Sequence, residues 1–218
     1  CKERILVFIR KHQKTLTDLV ASDANEADTR LFITDLLTEA LGYDKYSKEL
    51  ATEYRVKGEF ADYGLRVDQQ MVAFVECKRA TTVLGVKHLR QVQMYAVNEG
   101  VAWVMLTNGV EWQVYHITGG LPISVDLVFT VNLLGPETAV QKATLLFLIS
   151  REGMKKKVID EYWTQKAASS PKVLTAALLS EPVLVALRKE VKRSTGYTVS
   201  EGDLLRLLRE TVIRLDAL

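Results

Sequence analysis

The sequence has few of the residues on which common catalytic centres are built. Its 218 residues include two cysteines and three histidines. Neither a CxxC nor an HExxH spacing occurs, which excludes the usual zinc sites. No lysine follows a glycine, so a GxxxxGK[ST] phosphate-binding loop is excluded, and we expect no nucleotide cofactor. Two cysteines are too few for a disulfide framework and favour a reducing, cytoplasmic setting. The composition does not exclude magnesium sites built from carboxylates.

Long hydrophobic runs and a strong net charge are also absent. No stretch reaches about 18 apolar residues, so we expect no membrane-spanning helix and no membrane partner. The first residues lack the apolar core of a signal peptide. The formal net charge of +2 is too small to indicate a nucleic-acid partner by itself. With 48% hydrophobic and 26% charged residues, the composition is typical of a globular protein with a sizeable core.

The period of the apolar pattern changes along the chain. Apolar residues recur at helical spacing over residues 3–20 and 26–41, which predicts two helices. Alternation then predicts strands at 49–56 and 60–66, and the apolar run at 71–77 is typical of a buried central strand. One helix and three further strands are predicted after it, at 86–98, 101–106, 110–115 and 125–131.

This order of elements predicts an α/β fold, with a mixed sheet flanked by helices. From about residue 137 the pattern is helical to the end of the sequence. We therefore divide the chain into a core at residues 1–135 and a helical extension at residues 136–218.

Two carboxylates and a lysine carry the main chemical signal. In Glu76-Cys77-Lys78, the glutamate and the lysine share one face of a strand and Cys77 faces the other way. Taken alone, this tripeptide favours a surface ion pair where the strand emerges into solvent. Asp62 on the preceding strand favours a metal site over a surface ion pair, because two carboxylates on adjacent strands can hold a hard divalent cation. A lysine beside them can position or deprotonate a water, so the set predicts metal-assisted phosphodiester hydrolysis.

The order Asp-(x)n-Glu-x-Lys, followed by a helix and a strand, resembles the PD-(D/E)xK nuclease superfamily. Three further features narrow the resemblance to the N-terminal nuclease domain of type I restriction endonuclease R (motor) subunits. One is Asp62 followed by Tyr63-Gly64-Leu65, which is similar to the family's aspartate and its apolar neighbours. Asn25–Arg30 opens the second helix with acidic residues, and Gln91–Tyr95 fits the QxxxY element of that family. The resemblance covers about residues 20–118. Ala61 stands where the superfamily has proline, and the helicase motor of complete R subunits has no counterpart in the sequence.

The resemblance implies a restriction-endonuclease-like fold and a magnesium- or manganese-dependent DNA endonuclease. Asp62, Glu76 and the backbone carbonyl of Cys77 would bind the metal, and Lys78 would position the attacking water. Three residues would complete the site: Glu26, Gln91 and Tyr95. DNA is the implied partner, together with a second copy of the chain or separately encoded restriction-modification subunits. The alternative is a catalytically silent module that keeps the nuclease fold and binds DNA or docks a partner.

Whether the two carboxylates meet depends on the register of their hairpin. A regular two-residue loop would set Asp62 opposite Val75 and turn its carboxylate away from Glu76. The motif therefore requires an irregularity between Asp62 and Gln70 that inserts one residue. We expect it at Gly64, because a glycine within a strand often marks a bulge.

Basic clusters in the extension leave DNA contact open. Residues 155–157 form a run of three lysines, and four basic residues share one side of a predicted helix: Arg188, Lys189, Lys192 and Arg193. Such clusters contact phosphates in nucleic-acid-binding proteins and also occur on solvated faces, so both interpretations stand.

Overall fold

The structure, a computed structural model, describes residues 1–56 and 59–213, without the side chains of residues 55, 56, 59, 60 and 91. By its internal contacts the chain divides into two units, Cys1–Asp160 and Glu161–Leu218. Among the described residues, no helix is both long enough and apolar enough to cross a membrane.

Two helices precede the sheet. Helix α1 (Lys2–Ala21) is followed by α2 (Glu26–Asp35), which continues into a π-helical turn (Leu36–Ala40). The side chain of Asn25 accepts a hydrogen bond from the backbone N–H of Asp28 at 2.9 Å and so caps α2. This cap fixes Glu26 as the first residue of the helix.

Six strands form one mixed sheet in the order β1-β2-β3-β4-β5-β6. Their bounds are Leu50–Val56, Glu59–Val67, Gln70–Cys77, Trp103–Thr107, Glu111–Thr118 and Ser124–Asn132. Only β3 and β4 run parallel, and the other neighbours are antiparallel. A parallel pair needs a crossover connection, which is α3 (Arg90–Glu99) with a 3-10 turn (Val86–Leu89) before it. The predicted α/β class, with its mixed sheet and flanking helices, is confirmed.

Helix α3 covers the face of the sheet that carries Phe74. The buried residues of this layer come from α3 and from β2 to β5, and they include Phe74, Leu89, Val92, Tyr95, Val104 and Leu106. Because side chains alternate along a strand, Glu76 lies on the same face as Phe74, two residues further along β3. The core layer therefore also sets the direction of the Glu76 side chain.

The remaining elements are helical. They are α4 (Ala139–Leu148), α5 (Arg151–Lys155), α6 (Val158–Ala168), α7 (Pro171–Leu178), α8 (Glu181–Thr195), α9 (Glu201–Leu207) and a π-helical turn (Leu208–Val212). Helices α4 and α5 lie in the first unit, because the division follows Asp160. The second unit has a small core of its own, formed by Leu184, Leu204, Leu208 and Ile213.

Candidate active site

The β2–β3 hairpin contains the irregularity that the motif requires. Its turn residues Asp68 and Gln69 have φ angles of 49° and 68°. Positive φ at both central residues is what a two-residue type I′ hairpin turn requires. Arg66 pairs with Met71 next to the turn, and the register then shifts by one residue between Leu65 and Arg66. The residue left over lies on β3, since β2 advances one position while β3 advances two.

The shift gives the register that the motif requires. Tyr63 pairs with Val75, and this register, continued by one step, would place Asp62 opposite Glu76. The predicted irregularity between residues 62 and 70 is confirmed, but the expected position at Gly64 is wrong, because the extra residue is Val72 on the partner strand.

Gly64 itself pairs regularly with Phe74. Its small size serves packing instead. A Cβ at this position would lie 3.0 Å from Cε of Met71 and 3.2 Å from Cγ of Tyr54. The absence of a Cβ at this position leaves room for the two side chains that pack over the strand.

Asp62 is held where β2 and β3 separate. Its Oδ2 accepts a hydrogen bond of 2.7 Å from the backbone N–H of Cys77. Its Oδ1 lies 3.5 Å from Nη1 of Arg30 on α2, and 16% of its side chain is exposed. The carboxylate thus has a fixed position that depends on both the strand and the helix.

Glu76 and Lys78 form a part-buried ion pair. Nζ of Lys78 lies 2.5 Å from Oε1 of Glu76, and only 9% of the glutamate side chain is exposed. Burial raises the pKa of Glu76, and the charges of Asp62 and Glu26 raise it further against the opposing effect of Lys78. The pair lies among other charges and is not a solvated surface pair.

Lys78 keeps its proton in this setting. Burial by itself would lower the pKa of Lys78, but the hydrogen bond to Glu76 and the charges of Glu76, Glu26 and Asp62 raise it. The backbone N–H of Lys78 donates to the Thr107 carbonyl at 2.8 Å, which anchors this residue beside β4. A charged, anchored lysine can hold a water or a phosphate oxygen, and it is a poor base.

Glu26 on α2 belongs to the same set of charged residues. We call this set the charged group; its members are Glu26, Arg30, Asp62, Glu76 and Lys78. Glu26 is exposed on the first turn, and its charge reaches both Glu76 and Lys78. The three carboxylates, with Arg30 and Lys78, carry one more negative than positive charge. A further cation would therefore be favoured at this place.

The part of the chain that contains these residues matches a known family. Residues 25–122 match the type I restriction enzyme R protein N terminus (HSDR_N). This match confirms the resemblance that the motifs indicated, over residues 25–122. Neither the curated proteins nor the solved structures include a match to the chain. The matched segment, just under half of the chain, begins at the cap of α2 and includes every predicted site residue.

Two other residues predicted for the site differ in how far the structure describes them. The Tyr95 side chain, 2% exposed, lies in the core of the domain with its ring edge-on to Phe74 at 6.4 Å between centroids. The side chain of Gln91 lies outside the described residues. The roles of both in the nuclease-like site stay predictions.

Cys77 is the position whose backbone carbonyl is predicted as a ligand. Its thiol is free and fully buried. Burial, with the nearby negative charges of Asp62 and Glu76, raises the pKa of this thiol. The Cys77 side chain is therefore a core group, in line with the sequence interpretation.

Arg30 is the main residue of this domain that sequence reasoning missed. Its guanidinium pairs with Asp62 and lies over the Tyr63 ring at 5.7 Å, while the Tyr63 hydroxyl donates to the Arg30 carbonyl at 2.9 Å. Arg30 stands four residues after Glu26, so the two share one face of α2. That spacing was a signal in the sequence that could have found it.

His88 also lies near the charged group. Its pKa is lowered by burial and then by the charges of Lys87 and Lys78, so the ring is neutral near pH 7. Within the described part of the chain, its Nδ1 is buried and has no hydrogen-bond partner. His88 precedes Gln91 by one helical turn, which was the only sequence signal for it.

The loop after Lys78 is tied to the corner between α1 and α2. The backbone N–H of Ala80 donates to Oγ1 of Thr29 at 3.1 Å. Asp23 pairs with Arg79 and accepts from the Thr81 hydroxyl at 2.6 Å. Arg79 thus has a carboxylate partner. These contacts fix the segment on which Lys78 stands.

The donor chemistry of the domain suits a hard cation. Among the described residues, no three His, Cys, Asp or Glu side chains converge as a ready-made metal cluster. Magnesium is commonly bound through one or two carboxylates, with waters and substrate phosphates completing the shell. Asp62 and Glu76 offer two carboxylates in a group with excess negative charge, so the residues present fit such an ion.

Proposed function

We propose that the chain is a magnesium- or manganese-dependent DNA endonuclease that hydrolyses phosphodiester bonds. One observation carries the proposal: the β-bulge at Val72 gives the register in which Asp62 would face Glu76, whose carboxylate is paired with Lys78 and lies within reach of the charge of Asp62. The match of residues 25–122 to the R protein N terminus supports it. The same match supports DNA and separately encoded restriction-modification subunits as partners, and a second copy of the chain is a further expected partner.

In this mechanism Asp62, Glu76 and the carbonyl of Cys77 would hold the metal ion. When bound, the ion would supply charge neutralisation at the phosphate and an activated water. Arg30 and the Cys77 N–H orient Asp62 through contacts of 3.5 and 2.7 Å. Arg30 is thus a positioning residue, because it acts through the carboxylate.

Lys78 has a separate role in the proposed reaction. Since the neighbouring carboxylates keep it protonated, its ammonium donates to the attacking water and offsets negative charge on the phosphate. Glu76 holds that ammonium at 2.5 Å in the structure, which fixes its place before substrate arrives. A preoriented donor needs little reorganisation during the reaction.

Plasmid nicking by the purified chain tests the proposal directly. With magnesium or manganese, the chain is expected to convert supercoiled plasmid to nicked and linear forms, and EDTA to stop it. Asp62→Asn should reduce the rate by about 100-fold or more, because the isosteric amide is a weak ligand for a hard cation.

Asp126→Asn is the matched control for that variant. Asp126 lies on β6 and accepts from the Ser124 hydroxyl at 2.9 Å, so the same charge is removed away from the site. It should nick like the unmodified chain. If the chain binds DNA but neither metal supports nicking, the alternative hypothesis of a catalytically silent DNA-binding module is correct.

Metal binding can be measured without catalysis. A ligand that binds only the folded state at about 100 times its dissociation constant stabilises by about 2.7 kcal/mol. For a chain of this size, that raises the melting temperature by roughly 5–10 °C. Magnesium is expected to produce this shift in the unmodified chain and little of it in Glu76→Gln.

Glu99→Gln serves as the control for the melting experiment, since Glu99 is exposed at the end of α3. It should keep the full shift. An equal shift in all three proteins would place the bound metal elsewhere and contradict Glu76 as a ligand.

A further inference from the structure

A cavity of about 690 Å³ opens at the turn end of the β2–β3 hairpin, away from the carboxylates. It lies between the loop that precedes β1 and the turn of the hairpin. Its lining is polar and formed by Ser47, Lys48, Glu49, Arg66, Asp68 and Gln69. None of these residues has a role in the proposed reaction.

The carboxylates of this cavity are already matched by cations. Glu49 accepts from Nε of Arg151 at 2.7 Å, and Asp68 lies 3.0 Å from Nζ of Lys155. Arg66 and Lys48, by contrast, have no carboxylate partner among the residues that the structure describes. The cavity therefore presents two positive charges that its own lining does not neutralise.

Arg66 is fixed in place before any ligand arrives. Its guanidinium lies over the Tyr54 ring at 5.2 Å from the centroid, and Nη1 donates to the Lys48 carbonyl at 3.4 Å. Its backbone N–H donates to the Glu49 carbonyl at 2.8 Å. A held guanidinium keeps further N–H donors free for a phosphate, the group that its fork geometry suits.

The cavity is linked to the proposed site through the sheet. Tyr54, beneath Arg66, packs on Phe74 at 5.5 Å between ring centroids, and Phe74 shares its sheet face with Glu76. Arg66 follows Asp62 by four residues on β2, a distance of about 13 Å at about 3.3 Å per residue.

We propose that Arg66 and Lys48 form a phosphate subsite, which holds the backbone of the bound nucleic-acid strand away from the phosphate that is cut. This rests on the proposed function for the position of the cut. The chemistry recognised is a phosphate group, and its source is the backbone of the substrate strand.

DNA affinity as a function of salt tests the subsite. Fluorescence anisotropy of a labelled duplex, in EDTA so that nothing is cut, would be compared for the unmodified chain, Arg66→Ala, Arg66→Lys and Lys48→Ala. Arg66→Ala should weaken binding roughly tenfold. It should also reduce the slope of log affinity against log salt by about 1. Arg66→Lys should keep the slope and lose part of the affinity, because it keeps the charge but not the fork.

Arg10→Ala is the control, as Arg10 is an exposed arginine on α1 and its loss changes net charge equally. If Arg66→Ala and Lys48→Ala both match Arg10→Ala, the subsite is overturned. Melting curves check that each variant folds. If Arg66→Ala does not fold, the test rests on Lys48→Ala, because Lys48 is exposed and its replacement should not affect folding.

Two further arms separate the alternatives. Calorimetric titration with inorganic phosphate or a mononucleotide should show no binding at concentrations that saturate with DNA. Tight binding of either, lost in Arg66→Ala while DNA affinity stays, would overturn the strand subsite in favour of a free-phosphate site.

Where nicking occurs, Arg66→Ala should raise the half-saturating DNA concentration and keep the maximal rate. A chain that never nicks but loses DNA affinity in Arg66→Ala would contradict the proposed function and leave the phosphate subsite supported.

Discussion

Replacing Lys78 by alanine is expected to reduce plasmid nicking by about 10²- to 10³-fold, with DNA affinity in EDTA almost unchanged. Lys78 is the cation held against Glu76, and its pKa is raised by the surrounding carboxylates, so the variant removes a charged donor from the reacting phosphate. Initial nicking rates at saturating DNA measure the effect, with melting curves as the check on folding.

Lys87→Ala is the control for Lys78→Ala. Lys87 is exposed on the 3-10 turn before α3, and its loss should leave the rate unchanged. Lys78→Arg should recover only part of the rate, because the planar guanidinium keeps the charge but cannot occupy the place of the ammonium. Nicking by Lys78→Ala at the rate of the unmodified chain would remove the chemistry assigned to this residue.

Replacing Phe74 by alanine is expected to lower the free energy of unfolding by about 3–5 kcal/mol. Phe74 is fully buried between the sheet and α3, with ring contacts to Tyr54 at 5.5 Å and to Tyr95 at 6.4 Å. Its loss leaves a cavity in a layer that cannot collapse without moving the helix off the strands. Because domains are commonly stable by only about 5–15 kcal/mol, the urea midpoint should fall markedly.

Phe74→Leu should cost much less, because it keeps most of the buried volume. Leu121→Ala, at a fully exposed position, should change stability by less than about 0.5 kcal/mol. A loss in Phe74→Ala no larger than that in Leu121→Ala would show that the layer under α3 does not hold the domain together.

Much of the architecture followed from local patterns. The apolar run at residues 71–77 predicted a buried strand, and the helical spacing before residue 98 predicted the crossover that the parallel β3–β4 pair needs. Alternation along β3 put Glu76 and Lys78 on one face, and the structure joins them in an ion pair. Such features depend on how apolar and charged side chains are spaced along a helix or strand, and that spacing is visible in a short stretch of sequence.

The composition of the charged group was only partly visible in the sequence. Glu26 and Arg30 shared a helix face by spacing, but nothing local showed that α2 packs where Asp62 emerges from β2. Tyr95 matched a family element, and its burial against Phe74 depends on how α3 lies on the sheet. These contacts join segments far apart in the chain, so they follow from packing and not from periodicity.

The sequence by itself determined that the two carboxylates could share a cation only if the hairpin slipped by one residue. Only the tertiary structure decided where the slip occurs. Tyr54 and Met71 pack over Gly64, which pairs regularly with Phe74, and the extra residue falls at Val72 on β3. A bulge changes the pairing of two strands and the packing of both faces at once, so its position depends on side chains that lie on other strands.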